Sequence, residues 1–492
     1  MTVSNTNATE KGPGRDTEKG PGRNSTKRDR GGIRFFRSAG RVGTRVLFRA
    51  SALALGFLLV PLSAHAGGLF VPDVGARALS MGGAYVAGGD DLTALWYNPA
   101  NLAAKGGGRF EVDLTLNFRS VSWQRAPDES VRPDAFPFVD NRNAPPIPVP
   151  GLFGSWDFGV KGLAVALGIY APMNGTLRFT DTGPQRYTVI RSGSFVVFFH
   201  LGIAYEITPW LRVGAGLFLN SVFFDQRLAV NLGLGAPEDR TYDVIIDVYG
   251  TQHGLANFNV GVWVKPIPGA NIEVGASFFP GRRARATGTA RVTPPRDLAA
   301  LLTVNGNQAD FEIDFPWFVR AGIAWRIGDF ATVEANYVYE GWSSLQSIKI
   351  YPKDVSLSIG TLQDFPVPEL SLDRHWKDTH SVRAGGEVSV WKRIGLVARA
   401  GYFFESGAVP DAYVSIGSTD TNKHGVTVGA GATFGPISLH LGYAHVFFTD
   451  KNIAGSQMRL TNPLNRDNAS IIGNGNYRFA HDMVTAGIGG NF

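Results

Sequence analysis

The connections between amphipathic segments constrain the fold of this chain more than any other feature of its sequence. Residues 109–119 (RFEVDLTLNFR) alternate apolar and polar side chains without a slip, which is typical of a strand with water on one face and an apolar environment on the other. The same period of two returns up to the C-terminus. We count fourteen such segments, at 109–119, 151–159, 161–170, 195–207, 211–229, 243–265, 271–292, 311–328, 330–350, 379–391, 394–405, 424–435, 437–449 and 479–492.

The connections between these segments alternate between long and short along the whole chain. The long ones are 120–150, 171–194, 230–242, 293–310, 351–378, 406–423 and 450–478, and between them fall brief turns such as 208–210, 328–329 and 435–436. Bacterial transmembrane barrels have an even number of strands, short turns on the periplasmic side and long loops outside. A soluble β-sandwich does not require this alternation of short and long connections. The sequence therefore predicts an all-β fold, a fourteen-stranded antiparallel transmembrane β-barrel over residues 109–492.

Composition excludes several other classes of protein. After the N-terminal region, no segment offers the roughly 18 to 20 uninterrupted apolar residues that a membrane helix needs, which excludes a helical transporter. The chain contains no cysteine, so thiol catalysis, disulfides and thiolate metal sites are excluded as well.

The first 66 residues are predicted to be a leader rather than part of the fold. Residues 1–49 hold 12 Lys and Arg against 4 Asp and Glu, a net charge of +8, so the rest of the +6 chain carries −2 and nucleic-acid binding is not indicated. We expect this basic segment to be disordered. Residues 50–66 (ASALALGFLLVPLSAHA) form a short apolar region that ends in a small-x-small cleavage site. Export with cleavage after Ala66 is therefore predicted.

The chain ends on an aromatic residue that continues the apolar side of the last strand. Phe492 follows Val484, Ala486 and Ile488 at even-numbered positions. A terminal aromatic on an outward-facing last strand is what the outer-membrane assembly machinery selects. The barrel-assembly machinery and the outer-membrane lipids are thus predicted partners.

Residues 67–108 lack the periodicity of strands. The segment is dominated by small residues, carries Asp90 and Asp91, and contains Asn98-Pro99, a pair that favours a turn. Short helices are expected near 75–86 and 91–96. A compact segment of this kind in front of a large barrel can fold inside it. We therefore predict an N-terminal, partly helical hatch, or plug, over 67–108 in the lumen.

Several motifs carry a resemblance to a known family. Residues 80–103 (SMGGAYVAGGDDLTALWYNPANLA) resemble the hatch of the FadL/TodX family of outer-membrane transporters, and 376–379 (WKDT), 399–402 (RAGY) and 406–410 (SGAVP) resemble its C-terminal strands. The resemblance implies a fourteen-stranded barrel in the bacterial outer membrane, plugged by its own N-terminus. It also implies passive, hatch-gated transport of hydrophobic small molecules, either long-chain fatty acids or aromatic hydrocarbons. The substrate would leave through a gap in the wall or past a rearranged hatch.

Six residues are predicted to hold or gate the hatch. Asn98 and Pro99 are expected to anchor it, and Asp90 and Asp91 to bond arginines of the inner wall. The alternative for these four is a simple turn beside a solvated acidic pair. Gly82 and Gly83 permit tight turns and local mobility.

Six further residues are candidates for contact with the substrate. Arg383 and Arg399 face the lumen by parity, and a guanidinium suits a carboxylate, as does Lys377 nearby. The alternative is that these arginines pair with acids of the barrel or with the hatch. Leu301 and Leu302 belong to an apolar cluster that forms either an external groove or ordinary loop packing. Phe198 is unexpectedly apolar for an inner wall and favours a hydrophobic conduit.

The sequence gives little support for an enzymatic function. Ser438 and His440 share one face of a strand, but side chains two residues apart do not converge as nucleophile and base. His375 and His380 lack the spacing of metal ligands. We expect no catalytic residues, no metal and no cofactor. The alternative to transport is a non-transporting outer-membrane scaffold or assembly barrel of the same superfamily, which a sealed, polar lumen would favour.

Overall fold

The segments with period-two alternation form a closed wall of antiparallel strands in the computed structural model. The structure describes residues 73–128, 131, 138–141, 144–359, 362–460 and 470–492. The predicted disordered leader (1–49) and signal sequence (50–66) lie outside the described residues. No helix in the described part is long and apolar enough to cross a membrane. The strands are β1 (Arg109–Arg125), β2 (Phe138–Asp140), β3 (Ile147–Trp156), β4 (Leu163–Arg178), β5 (Arg191–Thr208), β6 (Leu211–Asn231), β7 (Asp243–Val264), β8 (Ile272–Phe279), β9 (Arg282–Thr293), β10 (Leu302–Asn305), β11 (Gln308–Phe315), β12 (Phe318–Ile327), β13 (Ala331–Glu340), β14 (Ser347–Pro352), β15 (Ser356–Ile359), β16 (Leu362–Pro366), β17 (Leu370–Asp373), β18 (Thr379–Trp391), β19 (Leu396–Glu405), β20 (Lys423–Phe434), β21 (Ile437–Phe448), β22 (Lys451–Ile453) and β23 (Gly475–Asn491).

The first and last strands close the barrel. β1 pairs antiparallel with β23 from Arg109↔Asn491 to Arg125↔Gly475, and with β3 on its other side. Every neighbouring pair around the wall is antiparallel, and the chain crosses the wall fourteen times. The fold class predicted from the alternation is therefore confirmed. The three short strands β10, β15 and β16 form a separate small sheet in the loops.

Three segments predicted as single strands are each broken in two, which corrects the sequence interpretation. The segment 271–292 breaks between β8 and β9 at Pro280-Gly281, and 311–328 breaks between β11 and β12 at Pro316-Trp317. Proline cannot donate to a strand ladder, so the pairing stops there. The segment 330–350 breaks between β13 and β14, where residues Trp342–Ser344 form a 3₁₀ helix.

The wall presents an apolar band to the outside. Along β5, Phe199, Leu201 and Ile203 are 44%, 51% and 52% exposed, whereas the alternate residues Phe198 and His200 are buried. A row of large exposed apolar side chains of this kind is stable only against lipid.

The segment before β1 lies inside the barrel. It contains α1 (Ala76–Ser80), α2 (Ala94–Tyr97) and a 3₁₀ helix at Pro99–Ala104, and nearly all of its side chains are buried. Helix α1 contacts β20 and β21, while the 3₁₀ helix contacts β5, β6 and β7 on another part of the wall. The remaining 3₁₀ helices are Pro184–Tyr187, Arg240–Tyr242, Arg296–Leu298, Lys392–Ile394 and Asp411–Tyr413.

Two wall glycines permit the close approach of this hatch. A Cβ atom at Gly385 would lie 2.1 Å from the carbonyl oxygen of Met81, and one at Gly401 would lie 2.2 Å from the Met81 carbonyl carbon. Backbone contacts this short tolerate no side chain. The hatch backbone is thus seated directly on β18 and β19.

Candidate functional site

A cavity of about 140 Å³ lies in the upper half of the barrel, beneath the long loops. Its lower and lateral walls come from residues of β4, β5, β6 and β11 together with the segment after β13. Most of this lining is apolar, and it includes Met173, Val196, Val222, Phe224, Ile313, Phe315, Leu345 and Ile348. The cavity therefore offers a desolvated surface to an apolar molecule.

One side of the cavity carries two guanidinium groups that form no ion pair with a described carboxylate. Arg119 of β1 forms no hydrogen bond or ion pair with any described residue. Arg374 donates a hydrogen bond to the carbonyl oxygen of Asp373 at 3.2 Å, and no described carboxylate lies within ion-pair distance of it. Guanidinium groups with open donors are costly to bury, so this side of the cavity is suited to an anion.

Uncharged polar groups of the lining are also unsatisfied. Both side-chain atoms of Asn174, Nε1 of Trp376 and Nε2 of His481 are buried without a hydrogen-bond partner among the described residues. Since buried polar groups are normally hydrogen-bonded, these three add to the capacity of the cavity for a polar head.

A third cation, Lys423, is held by two acids at the edge of the cavity. Its ammonium group contacts Asp420 and lies 3.1 Å from Oε1 of Glu405. Asp420 belongs to the loop after β19. Burial raises the pKa of Asp420 to about 6, although the Lys423 ammonium and the Ala408 amide act in the opposite direction. The charge at this edge therefore changes within an accessible pH range.

A chain of ion pairs connects the cavity to the hatch. Glu405, which contacts Lys423, accepts a hydrogen bond at 2.8 Å from Nη2 of Arg383. Nη1 of the same arginine lies 2.6 Å from Oδ1 of Asp73, at the start of the described hatch. Asp73 also accepts from the Tyr97 hydroxyl at 3.3 Å. Removal of one member would leave buried charges uncompensated.

An aromatic cluster separates the cavity from the hatch interior. Trp96 of α2 contacts the rings of Tyr170, Phe198, Phe279 and Phe318 at centroid distances of 5.6 to 6.1 Å. The Arg320 guanidinium stacks 4.6 Å above Trp96 and donates to its carbonyl oxygen at 2.8 Å. The cluster packs with the cavity residues Met173, Val196 and Val222 in one hydrophobic core and forms the floor of the cavity.

Wall side chains hold the hatch largely through its backbone. Glu334 accepts from the amides of Ala87 and Gly88 at 2.7 and 2.8 Å, and Glu111 accepts from the amide of Leu92 at 2.9 Å. Arg109 donates to the carbonyl oxygen of Leu102 at 2.7 Å. Because these wall side chains bond to backbone atoms of the hatch, the position of the hatch depends on its backbone conformation and not on its side chains alone.

The sequence led us to expect that the two acidic hatch residues would pair with arginines of the wall, but neither forms an ion pair with a wall arginine among the described residues. Asp90 pairs with Arg77 and, at 3.2 Å, with Lys105, both of which belong to the predicted hatch segment. Burial raises the pKa of Asp90, but the charges of Arg77, Lys105 and Arg326 outweigh it and hold that pKa well below its usual range. Asp91 accepts from the Tyr85 hydroxyl and, at 2.6 Å, from the Thr93 hydroxyl.

The other hatch residues singled out by sequence lie at turns. Asn98 donates to the carbonyl oxygens of Val86 and Val262 at 2.9 and 3.0 Å, which joins the hatch to β7. Pro99 begins the 3₁₀ helix. Gly82 and Gly83 have φ angles of 64° and 71°, a left-handed conformation that favours glycine.

None of the six predicted substrate residues lines the cavity. Arg383 is occupied by Asp73 and Glu405, and Arg399 by Glu387 at 2.6 Å, so both follow the alternative of pairing within the barrel. Phe198 is buried in the aromatic floor. Lys377 is exposed. Leu301 is 62% exposed, whereas Leu302 is buried in β10 and so does not belong to an open groove.

The sequence interpretation missed the cations of the cavity. Arg119 stands on the polar face of the first predicted strand, but parity gives only the face of a residue and not its height in the barrel. Arg374 and Trp376 lie in a long connection. Trp376 itself begins the WKDT motif quoted for the resemblance, which is a signal that could have drawn attention to its neighbours.

These features together define a class of protein. A closed barrel with a lipid-facing apolar band, a hatch in its lumen and an apolar cavity beneath long loops is an outer-membrane channel. The chain belongs to the OMPP1/FadL/TodX family of outer membrane transport proteins, because the model of that family matches residues 57–482. It is therefore a transport channel of the bacterial outer membrane and not an enzyme.

Solved structures share this fold at low sequence identity. A Pseudomonas aeruginosa FadL homologue is 15% identical with a TM-score of 0.70, and the match covers 87% of this chain and 100% of that one. The P. putida toluene transporter TodX is 14% identical with a TM-score of 0.60, with 86% and 99% covered. The Ralstonia pickettii toluene transporter TbuX is 16% identical with a TM-score of 0.57, also with 86% and 99% covered. No curated protein matches the sequence.

Proposed function

We propose that this channel passively transports hydrophobic molecules that carry an anionic head, such as long-chain fatty acids. The observation that carries the proposal is the position of Arg119 and Arg374 at one side of a largely apolar cavity, where neither forms an ion pair with a described carboxylate. An apolar tail would replace water against Val196, Val222 and Phe224, and a carboxylate would satisfy the guanidinium donors.

Neutral aromatic hydrocarbons are the second candidate substrates. The similar structures include two toluene transporters, and Phe224, Phe315 and Phe448 line the cavity of this chain. A hydrocarbon would leave both arginines unpaired, however, and their desolvation would oppose its binding. The charge of the cavity thus favours the anionic class. An apolar cavity beneath the loops also favours transport over the scaffold alternative.

We further propose that the substrate leaves through the wall beside β4. The ladder between β3 and β4 ends at Gly151↔Tyr170, and the pairing of β4 with β5 shifts between Tyr170 and Met173, on either side of Pro172. A small cavity of about 20 Å³ lies at this break, against Asp73, Val74 and Gly75 of the hatch. In this route the start of the hatch, which lies against the break, moves aside to open the exit.

Export and assembly complete the proposal. Cleavage after Ala66 would release the mature chain, with residues 67–108 as its hatch. Recognition by the barrel-assembly machinery would use β23 and the following residue Phe492, which lies at the outer surface and contacts Trp156 with ring centroids 5.6 Å apart.

The raised pKa of Asp420 gives a test of anion binding. Below pH 6 Asp420 is neutral and the cavity is more positive by one charge, so a permanently anionic amphiphile should bind more tightly at pH 5 than at pH 7.5. Decyl sulfate stays ionised over this range, and equilibrium dialysis against the protein in nanodiscs measures its Kd. We expect a decrease of several-fold in Kd on acidification.

The matched variant Asp420→Asn should bind decyl sulfate at pH 7.5 as tightly as the wild type does at pH 5. It should also lose most of the pH dependence between pH 5 and pH 7.5. A pH dependence that is unchanged in this variant would contradict a role for Asp420.

A further inference from the structure

A row of arginines crosses the outer face of the wall on the side of the long loops. Arg178↔Arg191, Arg191↔Arg227, Arg227↔Asp247 and Asp247↔Arg291 are register partners on the consecutive strands β4, β5, β6, β7 and β9. The neighbouring residues Leu177, Leu228 and Ala290 are buried inside, so the charged side chains face outward. We call these five residues the arginine row.

The arginine row places like charges directly opposite each other, which destabilises a sheet. Arg191 lies 2.9 Å from Asp225 and 3.6 Å from Asp247, and Arg227 contacts Asp247 at 2.9 Å. The exposed residues Arg178 and Arg291 form no ion pair among the described residues. Four guanidinium groups thus share two carboxylates, which leaves a net charge of +2 on the patch.

The height of the arginine row indicates what faces it. On β5 the outward residue Phe195 lies four positions below Arg191, about 13 Å along the strand. Phe195 is 38% exposed and its ring stacks on Phe223 of β6 with centroids 4.5 Å apart, while on β7 the exposed Tyr249 lies two positions below Asp247. The row therefore stands just above the apolar band, at the level of lipid headgroups in the outer leaflet.

We propose that the arginine row binds the phosphate groups of outer-leaflet lipids. A phosphate accepts paired hydrogen bonds from guanidinium groups and offsets the excess positive charge of the patch. Phosphorylated glycolipid is the anionic component of this leaflet in bacteria. The interaction fixes the height of the barrel in the membrane. It is independent of the substrate proposed above.

The test removes the two arginines that have no acidic partner. The variant Arg178→Gln/Arg291→Gln leaves the ion pairs of Arg191 and Arg227 in place. Diphosphoryl lipid A is titrated onto the protein in dodecyl maltoside micelles, and native mass spectrometry measures the bound fraction. We expect an apparent Kd at least tenfold higher in the variant. Lys392→Gln/Arg393→Gln, which removes the same charge from a short turn at the opposite rim, should bind as the wild type does.

Two further measurements separate the sources of binding. Lipid A without its phosphates should bind the wild type no better than the variant, and millimolar inorganic phosphate should not displace the intact lipid. Equal binding of both lipids, or displacement by inorganic phosphate, would overturn the proposal.

A stability measurement controls for the fold. In lipid-free micelles the variant should retain the heat-modifiable migration of a folded barrel and unfold at the same temperature as the wild type or higher, because repulsion is reduced. A lower unfolding temperature would show that the arginines serve the wall itself, and this result would also overturn the proposal.

Discussion

Replacement of both Arg119 and Arg374 by glutamine is expected to weaken the binding of decanoate at least about a hundredfold, while decanol binds within about twofold of its original affinity. Each hydrogen bond to a charged group contributes about 1.5 to 3 kcal/mol, and each 1.4 kcal/mol changes an affinity about tenfold. The apolar lining is untouched by these substitutions. Equilibrium dialysis of the two radiolabelled ligands against protein in nanodiscs measures both affinities.

The control for this experiment removes arginines that face away from the cavity. Arg285 and Arg478 lie on the outer wall with side chains 72% and 78% exposed, and the variant Arg285→Gln/Arg478→Gln loses the same total charge. It should bind decanoate as the wild type does. An equal loss of decanoate and decanol in the cavity variant would show collapse of the cavity rather than loss of an anion site.

The second large effect is expected at the link between the cavity and the hatch. Arg383→Met leaves Asp73 and Glu405 buried without their arginine, and breaking a buried pair in this way costs about 3 to 5 kcal/mol. Because Asp73 belongs to the hatch, we expect the hatch to detach from β18 and exchange its amide hydrogens faster, by on the order of a hundredfold. Hydrogen exchange read by mass spectrometry over residues 73–105 measures the effect.

A matched change at an exposed ion pair sets the baseline for this comparison. Arg285→Met removes one of the two arginine partners of Glu312 on the outer wall, where such a pair is worth about 0 to 1 kcal/mol. Hatch exchange should be unchanged in that variant. Unchanged exchange in Arg383→Met would mean that the backbone contacts of Glu334 and Glu111 hold the hatch without the ion-pair chain.

The alternation of residues along the strands made the barrel predictable, because it depends only on local sequence and on the two environments of the wall. The boundaries of the strand at 379–391 agree with β18 to the residue. The breaks at Pro280 and Pro316 were missed because the apolar pattern continues across them. In a strand ladder, one missing donor matters more than continued alternation.

The site was less predictable because it depends on the partners that distant segments supply. Parity placed Arg383 and Arg399 correctly in the lumen. However, Arg383 forms an ion pair with Asp73 of the hatch, and Arg399 forms one with Glu387 of β18. Arg119, like Arg383, lies on the polar face of a predicted strand. Its height in the barrel, beside the cavity and above the hatch, leaves it without an ion pair among the described residues, although the Asp420 carboxylate across the cavity acts on it electrostatically.

Uptake by living cells tests the central claim most directly. A host that lacks its own transporter expresses either the wild type or Arg119→Gln/Arg374→Gln, with equal amounts of correctly inserted barrel, and is offered radiolabelled oleate or toluene. The account predicts that the wild type imports oleate, that the variant imports it at a rate close to that of cells without the channel, and that any toluene uptake is the same in both. Import of toluene but not of oleate by the wild type, or equal oleate import by both proteins, would contradict it.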